Sequence, residues 1–122
     1  MSEQDDPSLP LVSAYGRRGF IVQGRRWQGA ILILPDGVRS LPVSEAERLS
    51  PEDLAPLFAA DPGIELLVFG GGARLVRPPP SLRAALRDAG IATEPMDSGA
   101  AARTFNVLLL EARRVAAVLM PL

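Results

Sequence analysis

The sequence predicts a single α/β domain in which an N-terminal antiparallel meander joins a C-terminal βαβαβ unit in a mixed sheet. The chain has 122 residues, a length typical of one domain. Residues 19–41 contain short β-rich runs separated by turn residues, as antiparallel strands do. Residues 64–120 alternate strand-like and helix-like segments, which is typical of right-handed parallel crossovers. We therefore predict a domain over residues 11–122, preceded by a disordered tail over residues 1–10.

The tail and the meander are predicted from simple patterns. Residues 1–10 hold three acidic residues, two prolines and one leucine, and so offer little apolar surface to offset the entropy of ordering. Residues 20–22 and 30–34 are β-rich runs bounded by turn residues. Asp36 and Gly37 form a strong tight-turn signal, which leads into a third short strand over residues 38–41.

The first helix is predicted to begin at Ser50, where a capping serine precedes a proline and two acids. Pro56 lacks a backbone N–H, so we expect this helix to be short or kinked before it ends at residues 61–63. A nearly continuous apolar strand over residues 65–69 then runs into three glycines. A second helix follows the prolines at 78–80 and stops at Gly90.

The last part of the chain is predicted as a strand over 91–96, a long helix over 99–113 and a strand over 115–120. A helical wheel at about 100° per residue places one apolar group toward the sheet. That group is Phe105, Leu108, Leu109 and Ala112. The opposite side carries Val107 and Leu110 beside arginines, which a simple amphipathic helix does not expose. The predicted partner interface therefore comprises Val107, Leu110 and Arg114, covered by the N-terminal strands, by a protein partner or by a symmetry-related subunit.

Composition excludes several kinds of function. The 13 basic residues are all arginine, and the chain has no cysteine, histidine or lysine. Thiolate and imidazole metal sites, cysteine nucleophiles and Schiff-base lysines are therefore excluded, and we predict no metal and no cofactor. A net charge of −1 predicts no nucleic-acid partner. No apolar run is long enough to span a bilayer and the acidic start does not resemble a secretory leader, so we predict a cytoplasmic protein.

A candidate ligand-binding cleft is predicted where two strands end. Carboxyl ends of parallel strands gather ligands because loops diverge there and helix N-termini point at the gap. The candidate residues are Gly70, Gly71, Gly72, Asp97, Ser98, Arg103 and Asn106. Structural alternatives are open for all of them. Glycines let a buried strand turn sharply, Asp97 or Ser98 caps a helix, and Asn106 is exposed or bonds to nearby backbone.

Two segments of the sequence resemble a known family. They are residues 67–72, a strand that runs into glycines, and residues 96–117, which begin Met-Asp-Ser-Gly and end Glu-Ala-Arg-Arg-Val-Ala-Ala. They resemble the small α/β family that contains the mitochondrial complex I assembly factor 3 and the adipogenesis-associated domain protein. The family pattern has Thr where this chain has Gly71, Thr at Ser98 and usually Gly at Ala112. Ser98 keeps the hydroxyl of that pattern, whereas Gly71 lacks one.

The resemblance implies a function without catalysis. It implies a compact domain with a mixed sheet and, for the mitochondrial member, a helper role in assembling the quinone-binding part of NADH dehydrogenase through protein contacts. We therefore predict a non-catalytic, assembly-factor-like interaction domain, with NADH dehydrogenase subunits as partners by analogy and a place beside the inner membrane through such a partner. The alternative is a small-molecule binding protein or enzyme that takes an anionic or polar ligand in the cleft.

Overall fold

Residues 8–122 fold into two sheets and three α-helices. The computed structural model describes residues 8–122, so most of the predicted tail lies outside the described residues; Leu9 is half-buried and Pro10 is buried. The strands are β1 Val12–Gly16, β2 Gly19–Val22, β3 Arg25–Gln28, β4 Ile31–Leu34, β5 Gly37–Ser40, β6 Leu66–Gly70, β7 Ala92–Met96 and β8 Val115–Leu119. The α-helices are α1 Ala55–Ala59, α2 Pro80–Asp88 and α3 Ser98–Leu110.

The larger sheet is mixed, as predicted. Its strand order is β5-β4-β8-β6-β7. β4 pairs antiparallel with β5 and β8, whereas β6 pairs parallel with β7 and β8. The C-terminal half is the βαβαβ unit that the alternation predicts, with α2 between β6 and β7 and α3 between β7 and β8. The predicted α/β fold class is confirmed.

The N-terminal strands do not form one continuous meander. β1, β2 and β3 make a separate antiparallel sheet, and neither β1 nor β3 is among the strands predicted from the sequence. The chain leaves that sheet at Gly29, which has a φ of 75°, and then enters β4. Every residue of β4 is buried, and a strand buried on both faces belongs inside a sheet that is covered on both sides. β4 therefore pairs with β8 instead of β3.

The helices begin near the predicted positions. Residues Pro51–Leu54 form a 3₁₀ turn that leads into the short α1, and Pro56 stands in the first turn of α1. The Asp53 carboxylate accepts a hydrogen bond of 3.0 Å from the Ser50 backbone N–H, which satisfies a donor at the helix start. α2 buries Leu82 and Leu86 and is followed by Gly90, with a φ of 75°.

α3 ends earlier than predicted. Its last helical residue is Leu110, not residue 113. Ala112 does not face the sheet as the helical wheel suggests, because it lies beyond the helix in the left-handed region, with a φ of 61°, and is exposed. Its N–H donates to Leu109 O and the Arg113 N–H donates to Leu108 O, both at 3.0 Å. This pair of bonds is the Schellman arrangement that closes helix ends.

The mixed sheet separates two apolar clusters. On one face α2 and the turn around Leu54 pack against alternate residues of the central strands, such as Leu67 and Phe69. On the other face Phe105 of α3 and Phe20 of β2 pack together against the remaining alternate residues of those strands. α3 thus contacts the mixed sheet and also the three-stranded sheet.

Candidate functional site

The ends of β6 and β7 lie side by side. The two strands are parallel neighbours, with Gly70 opposite Met96 in the register. The chain leaves β6 toward α2 and leaves β7 toward α3, which pack on opposite faces of the sheet. This is the kind of position where open α/β sheets bind ligands, because the diverging loops leave a crevice. The fold therefore brings the glycine triplet (Gly70, Gly71 and Gly72) next to Asp97 and Ser98.

Hydrogen bonds close this crevice. The Ser98 side chain is 0% exposed. Its hydroxyl donates to Met120 O at 2.7 Å and accepts from the Gly72 N–H at 2.9 Å. The Ser98 N–H donates to Gly72 O at 2.8 Å, and the Gly71 N–H donates to Met96 O at 2.9 Å. A ligand placed between the two loops would have to displace these bonds.

The glycines are explained by close packing. A Cβ atom at Gly70 would lie 2.9 Å from Ser98 Oγ and 3.0 Å from the Ala101 Cβ. One at Gly71 would lie 2.7 Å from the backbone oxygen of Arg74. Gly72 has a φ of 102°, a conformation that L side chains rarely adopt. Each glycine of the triplet thus permits a close approach or a turn at the sheet edge.

Asp97 caps the long helix. Its carboxylate accepts a hydrogen bond of 2.8 Å from the Ala100 N–H, one of the donors that the first turn of a helix leaves free. A carboxylate at this position also interacts favourably with the helix dipole. This hydrogen bond directly supports the interpretation of Asp97 as a helix cap.

Asn106 and Arg103 point to β1 and not to the glycine triplet. The Asn106 side-chain oxygen accepts from the Val12 N–H at 2.9 Å, and its amide nitrogen donates to Val12 O at 2.8 Å. A side-chain amide can make this pair of bonds because it carries one acceptor and two donors, as a neighbouring strand would. Arg103 donates a hydrogen bond to the Tyr15 hydroxyl.

Tyr15 completes the contact between β1 and α3. A Cβ atom at Gly99 would lie 3.0 Å from Tyr15 Cε1, so the absence of a side chain there lets the ring approach the first turn of the helix. We name these contacts the β1 clasp: Val12, Tyr15, Gly99, Arg103 and Asn106. Sequence reasoning missed Val12 and Tyr15, because their role depends on a strand that shows no strong local pattern.

The predicted interface residues lie near the carboxyl end of α3. Val107 is 55% exposed, and Leu110 is half-buried. The Arg114 Nε donates to Gly63 O at 2.8 Å, and its guanidinium lies 3.5 Å from the Glu65 carboxylate. The structure therefore brings Leu110 and Arg114 close to the segment that precedes β6.

A groove of about 540 Å³ opens at this end of the molecule. We name it the α3 groove. Leu110 and Arg114 line it, and Val107 lies one turn away from Leu110 on the same helix. The other residues that line the groove are Leu9, Pro35, Asp36, Asp61, Pro62, Ile64, Leu109, Ala112 and Arg113. These residues come from four distant segments, so no local motif could have predicted the groove.

Two further findings concern the described part of the chain. Among residues 8–122, no group of three or more acidic side chains is arranged to hold a metal ion. Within the same range, no helix combines the length and the apolar character that a bilayer crossing requires.

The fold and the site define a single-domain α/β protein with a closed strand edge and a long helix clasped by a separate hairpin sheet. The chain belongs to the family described as "Protein of unknown function (DUF498/DUF598)", whose model matches residues 12–120. The family resemblance predicted from residues 67–72 and 96–117 is confirmed, because named relatives are complex I assembly factors.

One such relative comes from Bos taurus. It is NADH dehydrogenase (ubiquinone) 1 alpha subcomplex assembly factor 3, which is 34% identical over 119 residues. The alignment covers 98% of this chain and 65% of the relative, so the chain spans less than two thirds of that protein's length.

Two solved structures share the fold over nearly the whole chain. A crystal structure described as an outer membrane protein from Bartonella henselae has a TM-score of 0.85 and 36% identity, and covers 94% of this chain and 97% of that chain. A solution structure of a Bordetella pertussis protein, described as a Mth938-like domain, has a TM-score of 0.80 and 30% identity over 93% of this chain and 87% of that chain.

Proposed function

We propose that this chain is a non-catalytic interaction domain, similar in role to the assembly factors among its relatives, and that it holds a protein partner at the α3 groove. The observation that carries the proposal is the apolar surface at the carboxyl end of α3. Val107 is 55% exposed and lies one helical turn from Leu110, which lines a groove of about 540 Å³ together with Leu109. Contiguous exposed apolar surface on a small protein is typical of an interaction site.

Energetics support a protein partner at this place. Burying a valine or leucine side chain fully contributes about 1.5–3 kcal/mol relative to leaving it exposed. Arg113 and Arg114 on the rim lie within 4 Å of the Glu65 carboxylate, so their guanidiniums are positioned before a partner arrives. An apolar centre with an arginine rim is the composition that protein interfaces favour.

The named relatives suggest which proteins this partner belongs to. They are assembly factors for NADH dehydrogenase, so we propose subunits of that complex as the partner and the periphery of the inner membrane as the place of binding. A second copy of this chain is the other occupant that the sequence leaves open, and its presence would show as a dimer.

The test of the interface uses one exposed residue and a matched control. Val107→Glu places a charge on the proposed contact, and Leu75→Glu makes a similar change at a residue that is 59% exposed and far from the groove in sequence. Both tagged variants and the natural chain are used to capture proteins from the native host, with quantitative mass spectrometry as the readout. We expect Val107→Glu to lose about tenfold or more of the captured NADH dehydrogenase subunits, equivalent to about 1.4 kcal/mol of binding.

The control decides how that loss is interpreted. Leu75→Glu should capture as much as the natural chain, and circular dichroism should show that both variants remain folded. Equal capture by all three proteins, or no NADH dehydrogenase subunit with any of them under growth that requires the complex, would refute the proposed partner. A concentration-dependent dimer that Val107→Glu disrupts would assign the surface to a second copy instead.

The small-molecule alternative stays a prediction that a thermal-shift screen can test. Anions, nucleotides and quinone analogues are the ligands to use. A ligand at about 100 times its Kd contributes about 2.7 kcal/mol to stability, so a real binder would raise the melting temperature measurably. The fully bonded Ser98 hydroxyl does not favour this alternative.

A further inference from the structure

The three-stranded sheet carries a concentrated positive charge. Residues 8–30 contain four arginines and no acidic residue, whereas residues 31–122 contain nine arginines and eleven acidic residues. Arg17 and Arg18 lie in the turn between β1 and β2, and Arg25 and Arg26 begin β3. All four side chains are exposed. A chain with a net charge of −1 therefore concentrates a basic surface on one small sheet.

These guanidiniums are without carboxylate partners among the described residues. The ion pairs between residues 8–122 involve Arg39, Arg48, Arg87, Arg113 and Arg114. Arg25 instead stacks over the Trp27 ring at 4.5 Å, a cation–π contact that leaves its charge uncompensated. The basic charge of this sheet is therefore available to an anionic partner.

Three of the arginines surround a trough on the outer face of the sheet. The trough has a volume of about 250 Å³ and is lined by Arg17, Arg18 and Arg26, with Tyr15 at its edge. We name it the arginine trough. Its floor consists of small or apolar residues: Ala14, Gly16, Gly19 and Ile21. Among residues 8–122, no acidic residue lines it.

The hairpin register sets the spacing of the charges. Arg26 lies opposite Ile21, which is three residues after Arg18 along the chain. Three residues of strand span about 10 Å. An extended segment of about four residues covers this distance, so its carboxylates reach more than one of the arginines.

From this trough we infer a docking site for an extended acidic segment of a protein partner. The inference rests on the proposed function in one respect, that the chain holds a protein. Arginine forks match carboxylates, and arginine with tyrosine is the composition of residues that dominate protein interfaces. A nucleic acid or membrane is less favoured, because both need a wider basic surface and the rest of the chain is acidic.

Direct binding of a defined peptide tests the inference. The probe is a fluorescein-labelled ten-residue peptide of alternating Glu and Thr, and the control peptide has Gln in place of every Glu. We expect the full chain to bind the Glu peptide, with fluorescence anisotropy as the readout. The affinity should fall by about tenfold or more between low and high salt, because exposed charges are screened over about 10 Å at 0.1 M salt. The Gln peptide should not bind.

Matched variants place the binding at the trough. Arg17→Glu with Arg18→Glu should weaken binding of the Glu peptide by about tenfold or more, which is about 1.4 kcal/mol. Arg74→Glu with Arg77→Glu changes the net charge equally at two exposed residues elsewhere and should have little effect. If the first pair fails to fold, Arg17→Gln with Arg18→Gln removes the same two charges. Equal weakening by the two pairs, or no binding of the Glu peptide, would overturn the inference.

Other occupants give different results. Preferential binding of a ten-nucleotide single strand, or of vesicles containing phosphatidylglycerol, would assign the surface to nucleic acid or lipid and overturn the inference. The triple variant Glu3→Gln, Asp5→Asn, Asp6→Asn should bind the Glu peptide as the natural chain does. Much tighter binding by that variant would show that the chain's own N-terminal carboxylates occupy the trough, which also overturns it.

The outcome is separable from that of the proposed function. If Arg17→Glu with Arg18→Glu binds the peptide as well as the natural chain while Val107→Glu still loses its captured partner, the acidic-segment inference is wrong and the interaction function stands. If no partner depends on either surface, the proposed function fails, whatever the peptide does.

Discussion

The two ends of α3 differ in how completely their polar groups are hydrogen-bonded and their apolar side chains are buried. At the amino end the Ser98 hydroxyl is fully buried and bonded on both sides, and the Asp97 carboxylate caps the first turn. At the carboxyl end the helix stops at a left-handed Ala112, beside a groove and an exposed Val107. Hydrogen bonds close the crevice at the amino end, whereas the carboxyl end leaves apolar surface exposed to a partner.

This difference teaches that small polar residues at strand ends need not form a ligand site. Glycine, serine and aspartate are typical of ligand-binding loops, yet here they satisfy backbone groups that the strand edge would otherwise leave unpaired. The residues near the open end are apolar and less conspicuous in the sequence. The proposed interface therefore lies where packing is incomplete, and not where polar residues cluster.

The largest expected effect tests the closed end. Ser98→Ala removes the donor to Met120 O and the acceptor for the Gly72 N–H, and it leaves both buried groups unpaired. We expect the free energy of unfolding in urea to fall by about 2–4 kcal/mol, since each buried unsatisfied group costs about 1–3 kcal/mol. A loss below about 0.5 kcal/mol, the usual range for surface changes, would contradict the assigned role of the hydroxyl.

A second serine provides the control for that measurement. Ser81 is exposed in the first turn of α2, where no side-chain cap bond is present. Ser81→Ala should change the unfolding free energy by no more than about 0.5 kcal/mol. Comparable losses for the two variants would mean that the contrast between buried and exposed serines does not hold.

A smaller effect is expected at the β1 clasp. Asn106→Asp keeps an acceptor for the Val12 N–H but removes the donor to Val12 O and places a carboxylate against that oxygen. We expect a loss of about 1–3 kcal/mol in unfolding free energy. Amide hydrogen exchange should accelerate in β1 and β2 while β6 and β8 stay protected, because the clasp joins the two sheets through α3.

Gln28→Glu is the matched control for that change. Gln28 is exposed at the end of β3, so the same exchange of amide for carboxylate should leave stability and hydrogen exchange nearly unchanged. Uniform acceleration across both sheets in Asn106→Asp would show that Asn106 supports the whole fold and not the clasp alone.

The smallest effect is a gain in stability at the open end. Ala112 adopts a φ of 61°, which L residues other than Asn and Asp rarely tolerate. Ala112→Gly should raise the unfolding free energy by about 0.5–1 kcal/mol, because glycine adopts this conformation without a steric penalty. Thermal unfolding monitored by circular dichroism measures the change.

The reverse sign is expected at a residue with ordinary backbone geometry. Ala89 follows α2 with a φ of −84°, so Ala89→Gly should lower stability by about 0.5–1 kcal/mol through backbone entropy alone. If both variants shift the melting temperature in the same direction, the left-handed conformation of Ala112 is not the cause.

The elements with strong local signals were predicted well. β6, β7 and β8 lie within one residue of the predicted strands. β6 and β8 appear in the sequence as apolar runs because they are buried in the sheet. α2 follows its prolines and precedes Gly90 as expected. The end of α3 was misplaced because Ala112 stands where a glycine would have marked the stop.

Long-range contacts account for what sequence reasoning missed. β1 has one buried residue, Val12, and its outer edge is paired by the Asn106 side chain, 94 residues away in the sequence. The separation of β1–β3 from β4 depends on β4 finding a better-buried place beside β8. Neither the pairing of β1 with Asn106 nor the pairing of β4 with β8 produces a pattern within a short stretch of the sequence.

The sequence alone determined the α/β class, the order of most elements, the family and the set of residues at the strand ends. Those features depend on local patterns of apolar residues, turn residues and helix caps, which act over a few positions. Tertiary structure decided that the strand edge is closed, that Asn106 binds a strand, and that Leu110 and Arg114 border a groove. Hydrogen-bond partners and grooves are formed by residues distant in sequence, so they exist only after packing brings those residues together.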